Sequence, residues 1–390
     1  MRILLAFILL PSLFAATAAA QSSDTQDRPT LNRHGAPPPN ATPTPATQPG
    51  SPSASPEPSP NAAPSPSPAE AAQPNQSVEP PQPAYPDLLP HFDNDSRAAL
   101  ETRETDVQKR GNVRLIELNY AGASGDRVPA YLLIPSGNGP FPAIIWGHWL
   151  MKGSPLANKD EFLDEALVLA RSGVVSLLID APQVRHEWTP EKGGSLEQAR
   201  QQSDAAAHQV IDLRRAVDLL YLRRDIDRKR IAYVGHSWDA HVGAILAGVE
   251  TRICCYVLMA SGYADQEEAF ASKDSQRIAQ IKEVGEDNVR EYFREYAFDD
   301  PVYFLGHTDR ESIFLQFASG DADSAGLAAY KQQAQKYLDR FSSKDKKMEF
   351  YDAPHALNAA ARLDRDRWLQ KHLGVKKIEE KELEEIPQLK

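Results

Sequence analysis

Apolar and polar residues follow two different patterns in the part of the chain after residue 84. In residues 113–120 and 128–134 they alternate, which predicts two half-exposed antiparallel strands. Further along, short and mostly apolar runs bounded by turn residues predict strands covered on both faces, as the strands of parallel sheets are. These runs are residues 143–146, 174–179, 231–234, 254–259, 313–317 and 348–351.

Helical patterns lie between these strands. Apolar residues recur at helical spacing in residues 210–220, 327–341 and 359–373. Strands that alternate with helices predict an α/β protein with a mostly parallel, eight-stranded, doubly wound sheet and helices on both of its faces. We expect this folded body to span residues 85–374.

Two segments depart from the alternation. Residues 263–311 are polar and rich in helical patterns, and they follow the strand that comes after the helix of residues 240–247. An insert at this point can form a cap over a site, and a solvated excursion is the alternative. Residues 375–390 are densely charged, which predicts a frayed helix or a disordered tail.

The beginning of the chain has the pattern of a secretory signal peptide. Met1 and Arg2 precede a short apolar run, and three alanines at residues 18–20 form a small-residue cleavage site. An uncleaved membrane anchor is the alternative, but the run is short for crossing a bilayer, so cleavage is favoured. We therefore expect residues 1–20 to be a signal peptide and the mature protein to be secreted or periplasmic.

Residues 21–84 have the composition of a linker. Twenty of the 31 prolines lie between Pro29 and Pro90, mixed with Ala, Ser, Thr and Gln. Such a segment cannot bury enough apolar surface to fold, so it is expected to be disordered and extended. It either holds the folded body away from a membrane, a wall or a neighbour, or is a dispensable tail.

Charge and cysteine content narrow the classes of protein further. The formal net charge is −11 and there is no basic stripe, so nucleic acid is not expected as a partner. No stretch after the signal is apolar for long enough to cross a bilayer, so no transmembrane span is expected after cleavage. Cys254 and Cys255 are the only cysteines, and as neighbours in an apolar strand they are expected to be buried free thiols.

The candidate nucleophile is Ser237. It lies in Gly235-His-Ser-Trp-Asp239, between an apolar strand pattern and a helix pattern of small residues. Strand, sharp turn and helix are the context in which a G-x-S-x-G motif forms a nucleophile elbow. The elbow presents the serine at a helix N-terminus, where backbone N–H groups can stabilise an oxyanion. Here the last glycine of the motif is replaced by Asp239, which needs more room between the helix and the neighbouring strand.

A serine nucleophile needs a base and an acid that orients the base. His355 follows the last predicted strand, and both Asp321 and Asp323 follow the strand before it. The order Ser237, Asp, His is that of α/β-hydrolases, and in a parallel sheet all three loops emerge at one edge. We prefer Asp323 to Asp321 as the acid, because Gly320-x-x-Asp gives the chain room to turn back towards the histidine.

Backbone donors for an oxyanion are expected at two places. One is the N–H of Trp238, directly after the nucleophile, and the other is the N–H of Trp149 or Leu150 in the loop after the strand at residues 143–146. His148, Leu150 and His236 are candidates for lining the substrate pocket. For the two tryptophan side chains and for His236, packing is the alternative, and His236 lies too close to Ser237 in the chain to be aimed at it as a base.

Several motifs together resemble the α/β-hydrolases of the dienelactone-hydrolase-like and acetyl-xylan-esterase-like group. They are residues 142–148, 212–220, 230–237 and 300–303, and His355 with the downstream Trp368-Leu. The resemblance covers most of residues 113–373. It implies the α/β-hydrolase fold and a serine esterase that cleaves a small-molecule or polysaccharide-linked carboxylic ester through an acyl-enzyme, with no metal or organic cofactor. Dienelactone hydrolases use cysteine where this chain has serine, which favours an esterase. A catalytically impaired binding protein and a prolyl-peptidase-like serine peptidase are the alternatives.

Overall fold

A nine-stranded sheet forms the centre of the protein in the computed structural model, which describes residues 82–151, 153–185, 195–261, 266–271 and 273–388. The expected signal peptide and nearly all of the expected linker lie outside these residues. The strand order is β1-β2-β3-β5-β4-β6-β7-β8-β9. The strands are β1 Arg103–Arg110, β2 Val113–Ala121, β3 Arg127–Ile134, β4 Phe141–Gly147, β5 Val175–Ile179, β6 Ile226–His236, β7 Cys255–Met259, β8 Ser312–Ala318 and β9 Lys346–Tyr351.

The predicted α/β class is confirmed, and the predicted number of strands is one too low. β1, β2, β3 and β5 pair antiparallel in that order, and β5, β4, β6, β7, β8 and β9 pair parallel. The missed strand is β1 at the edge of the sheet. All eight of its residues are exposed, so it has no apolar pattern from which it could be recognised.

Helices cover both faces of the sheet. Three of the larger helices, α3, α4 and α8, pack on one face, and α2, α9 and α10 pack on the other. The sequence of β4 is apolar throughout because its side chains alternate between the cores on the two faces of the sheet. Ala143 and Ile145 belong to one core, and Ile144 and Trp146 belong to the other. The helices are α1 Tyr85–Leu88, α2 Leu163–Arg171, α3 Ser195–Leu222, α4 Trp238–Val249, α5 Gln266–Ala271, α6 Ser275–Val284, α7 Glu286–Glu295, α8 Leu327–Arg340, α9 Ala359–Leu373 and α10 Glu380–Glu385. Within the described ranges, none of these helices combines the length and the apolar character that crossing a membrane requires.

The polar insert between β7 and β8 contains α5, α6 and α7, and its helices contact the body at two ends. On one side Tyr292 of α7 packs with Ala199 of α3, and its hydroxyl lies 2.6 Å from Ser203 Oγ. On the other side Ser324, in the loop after β8, donates to the carboxylate of Asp274, the N-cap residue of α6, at 2.7 Å. The insert therefore bridges the start of α3 and the loop that follows β8.

The charged tail is folded against the body, contrary to the expectation of a frayed or disordered segment. α10 packs against α9 and α2, with Leu383 fully buried and Ile378 nearly so. Arg362 of α9 donates to the carbonyl oxygens of Leu383 and Ile386, at 2.8 and 3.0 Å. The packed body therefore extends beyond residue 374, because two apolar side chains among the charges anchor this segment.

Candidate active site

Ser237 occupies a sharp turn between β6 and α4. Its backbone is in the left-handed region, with φ 58° and ψ −108°, and α4 begins at the next residue, Trp238. The N–H of Ser237 donates to the carbonyl oxygen of Met259 at the end of β7, at 2.7 Å, which ties the turn to the neighbouring strand. A non-glycine residue in this conformation is uncommon, and a nucleophile elbow requires a strained turn of this kind.

Asp239 fits at the elbow because glycine lies opposite it. A Cβ atom on Gly147, the last residue of β4, would lie 2.5 Å from Asp239 Cγ and 2.7 Å from the hydroxyl of Tyr233. The room that the usual elbow glycine provides on the helix is therefore provided here by a glycine on the strand. Asp239 is thus accommodated by Gly147 of β4, and the elbow keeps its backbone conformation.

The Asp239 carboxylate is completely buried and only partly hydrogen-bonded. Its Oδ1 accepts from Gln209 Nε2 at 2.9 Å and from the hydroxyl of Tyr233 at 3.3 Å. Its Oδ2 has no partner among the described residues. Burial raises the pKa of Asp239 to about 6, against the opposing influence of the hydrogen bonds from Gln209 and Tyr233. The group therefore changes charge in a mildly acidic pH range.

His355, in the loop between β9 and α9, is paired with Asp321. Its Nδ1 lies 3.0 Å from both carboxylate oxygens of Asp321, and both residues are buried. Asp323, which we preferred from the sequence, lies elsewhere: it is only partly buried, and its Oδ1 accepts from the N–H of Ala325 at 2.9 Å within its own turn. The geometry thus corrects the choice of acid from Asp323 to Asp321.

The physical reason for this correction is a close crossing of two loops. The N–H of Gly320 donates to the carbonyl oxygen of Ala353 at 3.0 Å, and a Cβ on Gly320 would lie 2.9 Å from that oxygen. The loop after β8 therefore already touches the histidine loop at Gly320, and the next residue, Asp321, reaches His355. The chain does not need the two further residues that we had allowed for turning back.

Ser237 and His355 lie in loops at the same edge of the sheet, but their side chains do not hydrogen-bond to each other in this structure. Ser237 Oγ and His355 Nε2 are both buried atoms without a hydrogen-bond partner among the described residues. Because Nδ1 of His355 faces the Asp321 carboxylate, its proton lies on Nδ1 and its Nε2 is free to accept. The histidine therefore has the tautomer that a general base requires.

The two tryptophans predicted as oxyanion donors differ. Trp238 is the first residue of α4, so its N–H is one of the helix N-terminal donors without an acceptor inside the helix. The N–H of Trp149 instead donates to Glu161 Oε2 at 2.7 Å, which contradicts its predicted role as an oxyanion donor. Among the described residues, no side chain accepts from the N–H of Leu150. Leu150 is therefore the remaining candidate for the second oxyanion donor.

His148 holds two loops of the site together. Its side chain is buried, its Nδ1 lies 2.7 Å from the carbonyl oxygen of Trp149, and its Nε2 accepts from the N–H of Ala181 at 2.9 Å. A carbonyl oxygen only accepts and a backbone N–H only donates, so the ring is neutral with its proton on Nδ1. The ring thereby joins the loop after β4 to the loop after β5.

His236 and Glu161 form a second buried histidine–carboxylate pair. His236 Nδ1 lies 2.5 Å from Glu161 Oε1, and His236 Nε2 lies 3.0 Å from the carbonyl oxygen of His355. His236, predicted to line the pocket, is fully buried, and both of its ring nitrogens have partners. Glu161 was missed, because it lies in a charged stretch before α2 that resembles a solvated loop.

These features define a protein with the α/β-hydrolase fold: an elbow after β6, an acid after β8 and a histidine after β9 of a mostly parallel sheet. Solved structures with this fold include the acetyl xylan esterase from Paenibacillus sp. R4, with 17% identity and a TM-score of 0.57 over 74% of this chain and 93% of that one. Acetyl xylan esterase 1 from Thermoanaerobacterium sp. JW/SL YS485 has 16% identity and a TM-score of 0.55, over 75% of this chain and 92% of its own. A glucuronoyl esterase from Solibacter usitatus has 14% identity and a TM-score of 0.51, again over 75% and 92%. No protein-family model and no curated protein sequence matches this chain.

Proposed function

We propose that this protein is a serine hydrolase that cleaves carboxylic esters through an acyl-enzyme. The observation that carries the proposal is the strained elbow at Ser237 together with the His355–Asp321 pair at the same edge of the sheet. Elsewhere a buried serine hydroxyl and a buried imidazole nitrogen without partners would be unfavourable. At a nucleophile and its base they are the groups that a substrate completes.

The residues have the following roles in the proposed reaction. Ser237 Oγ attacks the ester carbonyl carbon while His355 Nε2 takes its proton, and the same nitrogen then returns the proton to the leaving alcohol. Water, deprotonated by His355, then attacks the acyl carbon, and Ser237 Oγ leaves as it takes the proton back from His355. Asp321 holds the proton on His355 Nδ1 and stabilises the imidazolium that forms. The N–H groups of Trp238 and Leu150 stabilise the oxyanion of each tetrahedral intermediate.

The substrate proposed is a small-molecule or polysaccharide-linked ester. Acetyl xylan esterases, a glucuronoyl esterase and the methylesterase BT1017 share the fold, and their names describe ester cleavage. The signal-peptide pattern supports a secreted or periplasmic enzyme, and the chemistry proposed needs neither a metal nor an organic cofactor. The insert between β7 and β8 is proposed as a cap over the site, since it is fixed to α3 and to the loop after β8 on either side of the elbow.

A panel of chromogenic acetyl, butyryl and octanoyl esters, with acetylated xylan, tests this function on the wild type and on Ser237→Ala. We expect turnover of at least one ester, and labelling of Ser237 by a serine-directed phosphonate, in the wild type only. The variant should fold normally, since Ser237 Oγ has no partner to lose among the described residues. A wild type that is neither labelled nor active would overturn the proposal in favour of a binding protein that has kept the fold.

A further inference from the structure

We propose that Glu161 and His236 are positioning residues, a buried pair that holds the oxyanion loop and the catalytic histidine loop on either side of the elbow. The inference rests on the proposed esterase function and adds two residues to it. Neither residue contacts the reacting atoms in the mechanism above. Both act through the backbone of their neighbours.

The pair connects two loops and the end of a strand through four hydrogen-bonding atoms. Glu161 Oε1 bonds His236 Nδ1 at 2.5 Å, and Glu161 Oε2 accepts from the N–H of Trp149 at 2.7 Å. His236 Nε2 bonds the carbonyl oxygen of His355 at 3.0 Å. Both side chains are completely inaccessible to solvent. A single buried pair thus joins the loop after β4, the end of β6 and the loop after β9.

The placement of protons shows that the network is closed. The carbonyl oxygen of His355 can only accept, so His236 Nε2 carries a proton. One further proton lies between His236 Nδ1 and Glu161 Oε1. Glu161 Oε2 accepts a hydrogen bond from the N–H of Trp149. Every polar atom of the pair therefore has a partner. Because a buried polar group that loses its partner is costly, removing one member destabilises the position of both loops and of the end of β6.

Ring stacking adds to the same arrangement. The ring of Trp149 lies 5.1 Å from that of His236 with an angle of 19° between the planes. His236 in turn lies 5.3 Å from His355 with an angle of 25°. The rings of Trp149 and His355 also lie 6.4 Å apart with an angle of 8°, so the three rings form a triangular cluster. His355 therefore packs against two aromatic rings while its Nδ1 faces the Asp321 carboxylate.

The consequences for catalysis follow from the neighbours of the anchored groups. With the Trp149 N–H held by Glu161, the next N–H along the chain, that of Leu150, has a fixed direction. His236 directly precedes Ser237, and its second nitrogen holds the backbone of His355. Both ring nitrogens of His236 are occupied, so it is not the base in spite of its place beside the serine. Loss of the pair should lower kcat, while the binding of the ester in the ground state, and hence KM, changes little.

The test compares Glu161→Ala and Glu161→Gln with Glu165→Ala. Glu165 is a buried carboxylate four residues later that pairs with Arg365 and makes no hydrogen bond to Trp149, His236 or His355, so its loss controls for general destabilisation. We expect Glu161→Ala to lower kcat and the rate of phosphonate labelling by about 100-fold, the scale of a misplacement of about 1 Å, with KM nearly unchanged. Glu161→Gln should recover most of this loss, because its amide oxygen can accept from Trp149 and its amide N–H can donate to His236. Rates are taken per folded molecule, with the folded fraction measured by circular dichroism.

A second measurement does not depend on turnover. In ¹⁵N-labelled protein, one ring N–H of His236 should exchange slowly with solvent, in the wild type and in Ser237→Ala, and the signal should be lost in Glu161→Ala. The inference is overturned if that protected proton is absent in active wild type, or if Glu161→Ala keeps the kcat of Glu165→Ala. A wild type without Ser237-dependent turnover or labelling instead removes the proposed function, and the positioning role with it.

Discussion

Asp321 faces His355 Nδ1 with both of its carboxylate oxygens, each at 3.0 Å. Two residues further along, Asp323 is turned towards its own backbone and accepts from the N–H of Ala325. The difference matters because an acid in this position fixes the tautomer of the base, and the wrong tautomer cannot accept a proton from serine. The two neighbouring carboxylates are therefore expected to differ strongly in their importance for turnover.

Replacement of these two residues tests that difference. Asp321→Asn should lower kcat by about 10⁴-fold with little change in KM, because the amide no longer holds the proton on His355 Nδ1. Asp323→Asn should stay close to the wild type, since its side chain only closes a local turn. Steady-state kinetics on one chromogenic ester measures both. A larger loss in the Asp323 variant would contradict the assignment of the acid.

The buried carboxylate at the elbow predicts a pH dependence of stability. The pKa of Asp239 is about 6 in the folded protein, against 3.8 for an ordinary aspartate. Between these two pH values the folded protein binds a proton that the unfolded chain has released. Stability from this group is therefore present at low pH and is lost as the pH rises from about 3.8 to 6, by about 3 kcal/mol in all. Above pH 6 the loss is complete and constant.

Asp239→Asn removes this titration and keeps the size of the side chain. We expect the variant to gain stability relative to the wild type as the pH rises through that window, and the difference to level off above about pH 6. Urea unfolding between pH 4 and 8 measures it. The other titratable groups around Asp239, which are Tyr233, His148 and Glu161, are the same in both proteins and cancel in the difference. A difference that does not vary with pH would show that Asp239 does not titrate in this range.

The fit between Gly147 and Asp239 predicts an energetic coupling between the strand and the helix. Gly147→Ala places a methyl group 2.5 Å from Asp239 Cγ, so it should destabilise the protein and disturb the elbow. Asp239→Gly should relieve part of this strain, and only part, since the same methyl group also meets the hydroxyl of Tyr233 at 2.7 Å. A double-mutant cycle measured by urea unfolding should give a coupling of about 0.5–3 kcal/mol. Strictly additive effects would contradict the compensation.

The parts of the fold and site that could be predicted are those that a local sequence pattern indicates. Ser237 and His355 each follow a strand pattern closely, and the carboxyl ends of parallel strands meet at one edge, so their common edge followed from the sequence. The choice between Asp321 and Asp323 depended instead on where the loop crosses Ala353. That crossing joins residues far apart in the chain and leaves no local pattern.

The features that were missed have the same cause. Glu161 is separated from His236 by 75 positions, and it lies among charged residues that are typical of a surface loop. β1 is exposed along its whole length, so pairing with β2 alone defines it as a strand. The tail has few apolar residues that pack against the body. Because charged residues surround them, this packing could not be recognised from the sequence. Long-range partners decide each of these cases, and a single sequence does not display them.

The attachment of the insert to the body predicts a local effect of Ser203. Ser203 Oγ lies 2.6 Å from Asp299 Oδ2 and 2.6 Å from the hydroxyl of Tyr292, so it donates to the carboxylate and accepts from the tyrosine. Asp299 Oδ1 also lies 3.0 Å from His241 Nε2. This contact links the insert to α4, one turn beyond Ser237. Ser203→Ala leaves the buried Tyr292 hydroxyl and the partly buried Asp299 carboxylate without this partner and should cost about 1–3 kcal/mol.

Arg200→Ala is the matched control, because Arg200 joins the same two helices through an ion pair with Glu295 at 3.1 Å, and that pair is solvent-exposed. Its loss should cost about 0–1 kcal/mol. Hydrogen exchange, followed by mass spectrometry on peptides covering residues 286–299, should accelerate in Ser203→Ala and change little in Arg200→Ala. Equal acceleration in both variants would mean that the surface ion pair, rather than the buried hydroxyl, fixes the insert to α3.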